Sequence, residues 1–156
     1  MEAVVAAALP LVLLANGLGA GVLINTQLGG MAYLDALPAD RYVHAHAFYS
    51  TRYDPFMPVC ICATALGSAL LAAVGGPPAA QALHGLAALL ALATITVSVT
   101  KNVPVNKWIQ SLDPDRLPED FGRLDPRRPW GMWNRVRAWL LTAALAANCA
   151  AVPLLI

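Results

Sequence analysis

Four stretches of this chain, near residues 3–27, 55–75, 80–103 and 132–155, stay apolar for long enough to cross a hydrocarbon core as helix, which takes roughly 20 residues. Of the 156 residues, 58% are hydrophobic and 12% are charged, about half the charged share of an ordinary soluble domain. A soluble body of this size has too little interior to hide that much apolar surface, which leaves little room for a soluble globular enzyme. The chain reads as all-α: an integral membrane four-helix bundle, residues 1–156 forming one transmembrane domain in contact with the lipid bilayer. A net charge of +1 gives no basic excess for holding nucleic acid.

The first stretch has no basic segment ahead of it, so it reads as a retained span rather than a cleaved leader. The second opens on Asp54-Pro55, a helix N-cap followed by proline at the first helical position. It closes at Gly75-Gly76-Pro77-Pro78, which predicts a tight hairpin between the second and third spans. Cys60, Cys62 and Cys149 all lie in apolar sequence, where a thiol packs as a small hydrophobe.

Basic residues are placed unevenly. Arg41 and Arg52 lie in the first connection, and Lys101, Lys107, Arg116, Arg123, Arg127, Arg128, Arg135 and Arg137 lie in or beside the third, while the second connection has none. The positive-inside rule then puts the first and third connections in the cytoplasm and both termini outside. Every Trp and Tyr falls on or near the same side. That pattern is an interfacial aromatic belt, and its one-sidedness also suits rings that line a pocket. Pro38-Ala39-Asp40 starts a short interfacial helix in the first connection. Pro114, Pro118, Pro126 and Pro129 break up residues 107–130 into a polar cytoplasmic cap.

Polar residues inside spans are costly and face the bundle interior. Trp130, Asn134, Arg137, Leu141 and Asn148 share one stripe of the fourth span, bordered by Trp133, and Asn16 shares a face with Gln27 on the first. Asn16 and Asn148 should meet at similar depth, either as an interhelical hydrogen bond or as the polar floor of a cavity. Thr94, Ser98 and Asn102 form a stripe on the third span, where Pro104 removes a backbone donor and Asn102 and Asn106, four apart, can occupy one face. These features predict a pocket of Gln27, Asn102, Asn106, Asn134 and Arg137. The arginine needs a partner, to be sought among Asn carbonyls, Asp54 or an anionic ligand. Lys101 and Lys107 read as snorkelling to the headgroups, and His84 as interfacial.

His44 and His46 lie in the first connection. With no carboxylate or cysteine companions the pair is a poor metal signal. It reads either as surface histidine or as a proton acceptor working near neutral pH.

NVPVN (102–106) followed by WGMWNRVR (130–137), together with GLGAGVLIN (17–25) and HAFYSTRYDPFMP (46–58), resembles the anthrone oxygenase-like family of small four-span membrane proteins. The likeness covers nearly the whole chain. It implies oxidation of a phenolic polycyclic, anthrone-like polyketide with dioxygen in natural-product tailoring, and a bacterial plasma membrane as the location. No flavin, nicotinamide or haem fingerprint is present, so the expected oxygenase chemistry either uses no cofactor and no metal, the reading adopted, or uses an unrecognised metal. His44 or His46 would remove a carbon proton from a hydrophobic aromatic substrate. Arg137, Asn134, Asn102 and Asn106 would hold the oxyanion, and Trp130, Trp133 and Tyr49 would sandwich the ring system. The alternatives are a non-redox membrane cyclase or isomerase, and a carrier or assembly protein without enzymatic activity. Gly17, Gly19 and Gly21 permit close helix contacts, within the chain or in a homo-oligomer.

Overall fold

The computed structural model describes residues 2–74 and 76–155, and the described residues form helices without strands. Met1, Ile156 and Gly75, the last of these part of the expected hairpin, lie outside them. The first long helix, α1 (Glu2–Asn25), passes through a π-helical turn (Thr26–Gly30) into α2 (Met31–Ala36). After Leu37-Pro38 comes α3 (Ala39–Arg52), then α4 (Phe56–Val74) and α5 (Pro78–Val97). A second π-helical turn (Ser98–Asn102) carries α5 into α6 (Val103–Gln110), and a proline-rich loop with the single-turn α7 (Phe121–Leu124) leads to α8 (Arg127–Ala151). Four helical runs are long and apolar enough to cross a membrane.

Three boundaries differ from the sequence reading, each for a local reason. The first and third spans run on past residues 27 and 103, because a π-turn adds a residue without ending a helix. Pro104 follows directly on the second π-turn, whose wider backbone accommodates the missing N–H and the ring inside a continuing helix. The fourth helix begins at Arg127 rather than near 132, with Pro129 in its opening turn. Gly76 takes φ +69° in the hairpin between α4 and α5, a backbone conformation that glycine adopts without a Cβ clash.

α1, α4, α5 and α8 pack in a ring, α5 against α4 and α8 and α1 against the same two. Each turns one stripe inward at three- and four-residue spacing: Val12, Asn16, Ala20 and Leu23 on α1, for example, and Ala80, His84, Ala87 and Ala91 on α5. Leu14, Leu66, Leu89 and Trp139 face outward, where lipid would receive them. Small residues set the spacing: Ala87, Ala91 and Ala144 are fully buried. At Gly19 an added Cβ would lie 3.1 Å from the Leu141 side chain and 3.4 Å from that of Cys60, so this glycine serves contacts within the chain. Gly17 and Gly21 have open space above them.

A polar knot ties the four helices together. Asn16 Nδ2 donates to the Leu141 carbonyl at 3.0 Å, and Asn148 Nδ2 donates to Asn16 Oδ1 at 3.2 Å and to Ser68 Oγ at 3.0 Å. His84 Nδ1 lies 2.8 Å from Asn148 Oδ1. All four side chains are fully buried, one from each long helix. The expected Asn16–Asn148 bond is therefore present. His84, expected at the interface, is instead drawn into the bundle by the Asn148 carbonyl.

At the other end α3 lies across the bundle and alongside α6. His46 with Asn106 and Ser50 with Gln110 bridge the two helices four residues apart on each. Beneath the cap Leu34, Tyr42, Val43, Ile109 and Phe121 form a second apolar cluster, with Trp108 stacked on Phe121. Arg127 staples this corner. It pairs with Asp125 at 2.7 Å, donates to the carbonyls of Leu34 and Leu37 at 3.2 and 2.8 Å, and covers the Tyr42 ring. The carbonyls left open where α2 ends are thereby satisfied.

Asn148→Leu strips three helices of their shared partner and should lower the unfolding free energy in mixed micelles by about 1–2 kcal/mol. Cys149→Ser, on the exposed side of the next position, should change it by less than about 0.5 kcal/mol. Denaturation by increasing the sodium dodecyl sulfate fraction measures both, and equal stabilities would remove the knot from the account of the fold.

Candidate active-site cavity

The π-turns, the crossing helix α3 and the start of α8 surround a cavity of about 510 Å³, within the range of small-molecule pockets. It lies at the basic end of the bundle. α8 contributes Trp130, Asn134 and Arg137, α3 contributes His46 and Tyr49, and α6 contributes Asn106. These six are the expected site residues that the fold brings to one space.

Each side chain has a local cause for its position. On α8, Trp130, Asn134 and Arg137 follow three- to four-residue spacing, so they stack along one stripe. His46 is 2% exposed because α3 lies flat on the bundle and turns Tyr42, Val43 and His46 downward. Ser98 and Thr26 line the wall at the two π-turns, where their hydroxyls bond back to the carbonyls of Thr94 at 2.7 Å and Val22 at 2.9 Å. Such back-bonding satisfies the two hydroxyls within their own helices.

Four expected residues lie elsewhere. His44 is exposed: two positions before His46 on a helix of 3.6 residues per turn, it points to the opposite face, and the pair does not act as a unit. Gln27 is displaced because the π-turn rotates Thr26, Gly29 and Gly30 to the wall instead. Asn102 is fully buried behind Asn106, where its Nδ2 donates to the Trp130 carbonyl at 3.2 Å and so braces α8 against the second π-turn. Trp133 lies under the Lys101 ammonium, 5.2 Å from ring centre, an interfacial pairing outside the wall. Among the described residues no three His, Cys, Asp or Glu side chains gather as metal ligands.

Tyr33, Asp54, Met57 and Lys107 also line the cavity. From sequence Asp54 reads only as a helix cap and a counter-charge, and Lys107 only as a snorkelling residue. Tyr33 reaches the wall because α1 continues past its apolar stretch, which hydropathy does not signal. Pro58 and Cys62, exposed on the flank of α4, also border the space, so the cavity reaches the side of the bundle as well as its end.

The electrostatics are unbalanced. Among the described residues the ion pairs are Arg123–Asp120 and Arg127–Asp125, so the Arg137 guanidinium is in neither. Its Nε is buried without a hydrogen-bond partner, as are Asn134 Nδ2 and His46 Nδ1. Asn106 Oδ1 lies 3.0 Å from His46 Nε2 and 2.8 Å from Trp130 Nε1. Burial pushes the His46 imidazole below its ordinary range, with the Asn106 hydrogen bond opposing in part, so the ring is neutral at pH 7. Burial likewise pushes the Tyr42 phenol up and keeps it protonated. The wall thus combines a neutral imidazole with two unused donor groups, an arrangement able to take a proton from one part of a ligand and hold negative charge on another.

A family model described as Anthrone oxygenase matches residues 46–147, about two thirds of the chain. No curated protein and no solved structure matches.

A histidine whose folded pKa lies below its unfolded value of about 6.5 contributes full stability above that value and loses it as pH falls toward the folded pKa. The thermal midpoint in detergent should therefore fall between pH 7.5 and pH 5. His46→Gln, which keeps a donor for Asn106, should flatten that fall. Parallel midpoint-against-pH curves for the two proteins would contradict the buried neutral imidazole.

Proposed function

The chain belongs to the anthrone oxygenase family, and from that membership we propose that it oxidises a phenolic polycyclic anthrone with dioxygen inside the cavity, without a cofactor. The observation that carries the proposal is the unpartnered set of His46 Nδ1, Asn134 Nδ2 and Arg137 Nε on residues that share one wall. Buried polar atoms in a protein are normally paired, and an arginine inside a span without a carboxylate is more costly still. An anthrone answers all three. Its carbonyl and phenolic oxygens accept from Asn134 and Arg137, and its methylene carbon carries the acidic proton for His46.

In the proposed reaction His46 removes one methylene proton. The electron pair left on carbon delocalises onto the ring oxygen, where the Arg137 charge and the Asn134 amide stabilise it. The carbanion then reduces dioxygen: a carbon–oxygen bond forms, and the resulting peroxide anion takes back the proton from the His46 imidazolium. Loss of the second hydrogen of that carbon as a proton, with cleavage of the oxygen–oxygen bond, gives the carbonyl and water. One methylene and one dioxygen become one quinone carbonyl and one water, and the substrate supplies every electron. Tyr49 and Trp130 flank the ring system, and the opening beside Pro58 and Cys62 suits lateral access from the bilayer.

In nanodiscs with 1,8-dihydroxyanthrone, an oxygen electrode should record one dioxygen consumed per quinone formed, above the autoxidation baseline. His46→Gln should lower kcat by about 10²–10⁴, and Arg137→Ala or Asn134→Ala by about 10²–10³ each, with all three proteins folded. Conversion of the anthrone without oxygen uptake would move the protein to the cyclase or isomerase class. Undiminished oxidation by the Arg137 and Asn134 variants would sink the assignment of the oxyanion site.

A further inference from the structure

The indole N–H of Trp130 can only donate a hydrogen bond. The Asn106 side-chain atom 2.8 Å from it must therefore be the carbonyl oxygen, and the amide cannot be turned round. The same oxygen is 3.0 Å from His46 Nε2, and an oxygen without hydrogen can only accept. Nε2 must then carry the proton, which in a neutral imidazole leaves the lone pair on Nδ1, the atom that is buried and unpartnered. The ring is also held in orientation, edge-on to Trp130 at 4.7 Å and to Tyr42 at 5.4 Å between centroids.

We propose that Asn106 and Trp130 are positioning residues: together they hold the His46 proton on Nε2 and make Nδ1 the basic atom of the site. From sequence both read as substrate contacts. The tautomer rests on hydrogen-bond chemistry alone. Its consequence for catalysis rests on the function proposed above. Trp130 fixes which way the amide faces, the amide fixes which nitrogen keeps its hydrogen, and α3 is thereby locked to α6 in the register that brings His46 to the cavity. The charged and titratable groups sharing that wall are Arg137 on α8, Lys107 on α6, Asp54 ahead of α4, Cys62 on α4, Tyr33 on α2, Tyr49 on α3 and Tyr53 just past its end, with Tyr42 beside His46 on α3 itself. None of them hydrogen-bonds to the His46 ring, so the proton position depends on Asn106.

Long-range proton–nitrogen NMR correlation on ¹⁵N-histidine-labelled protein in micelles distinguishes the two tautomers without requiring turnover, with His46→Gln identifying the resonance. The wild-type protein should show Nε2–H at pH 7.5, and Asn106→Leu should show a mixture or Nδ1–H, with kcat lowered about 10- to 100-fold and KM nearly unchanged. Asn106→Asp, which presents only acceptors and a negative charge, should keep Nε2–H and move the acidic limb of kcat/KM to higher pH. A wild-type Nδ1–H spectrum overturns the proposal, as does a spectrum unchanged in Asn106→Leu or a pH limb unmoved in Asn106→Asp. A correct tautomer in a protein that does not oxidise anthrones leaves the positioning device standing and refutes the function proposed above.

Discussion

Inside a bilayer a polar group has no water to fall back on, so every buried donor and acceptor must be answered by the protein itself or by something the protein binds. The two halves of this bundle meet that constraint in opposite ways. In one half Asn16, Ser68, His84 and Asn148 bond to one another, with His84 Nε2 alone of their side-chain polar atoms left unpartnered, and the outcome is adhesion between helices whose apolar faces have no solvent-driven reason to prefer each other to lipid. In the other half Asn134, Arg137 and His46 stay partly unanswered around an open volume. The closed knot lets the open end exist, because it fixes the helices independently of whatever fills the cavity.

The open end is held by a chain of local causes. Arg127 satisfies the carbonyls that end α2 and its own carboxylate partner Asp125, which sets the corner where the chain turns into α3. That corner lays α3 across the bundle, and the two bridges to α6 fix its register. The π-turns act at the same level on the first and third spans: each rotates the following helix by part of a turn, so that Gly29, Gly30 and Asn106 face the cavity where an unbroken helix would present other positions. The site thus depends on one half-buried arginine and two extra residues in helix backbones.

How much of this the sequence discloses follows from which forces leave a pattern. Hydropathy marks the four spans, and polar spacing on one helix marks the Trp130, Asn134, Arg137 stripe and the Asn16–Asn148 pair, because both are consequences of a fixed 3.6-residue repeat. Gln27 and Asn102 go astray because a π-turn breaks that repeat, and nothing in Thr26–Gly30 or Ser98–Asn102 announces one. His44 and His46 were inseparable in sequence, since choosing between them requires the roll of α3, set by Leu34, Ile109 and Phe121 from distant segments. His84 was misplaced for a similar reason: its partner Asn148 is 64 residues away. Trp133, three positions past Trp130, turns to Lys101 at the second π-turn and not to the cavity.

The proposed chemistry also explains why a neutral, burial-weakened imidazole suffices as the base. Removing a carbon proton is difficult when the charge must remain on carbon, but an anthrone passes that charge to an oxygen several atoms away. At an effective dielectric of about 20, a unit negative charge about 4 Å from a guanidinium gains about 4 kcal/mol, equivalent to roughly three units in the acidity of the substrate. Arg137 can supply that gain in full only if no carboxylate has already neutralised it, and it is in neither of the ion pairs among the described residues. The cost of keeping an unpaired cation in the bundle is then recovered when the anion forms. In the proposed reaction the strength demanded of His46 falls by the same amount, so Arg137 would set the position of the proton-transfer equilibrium and the imidazole would provide its path.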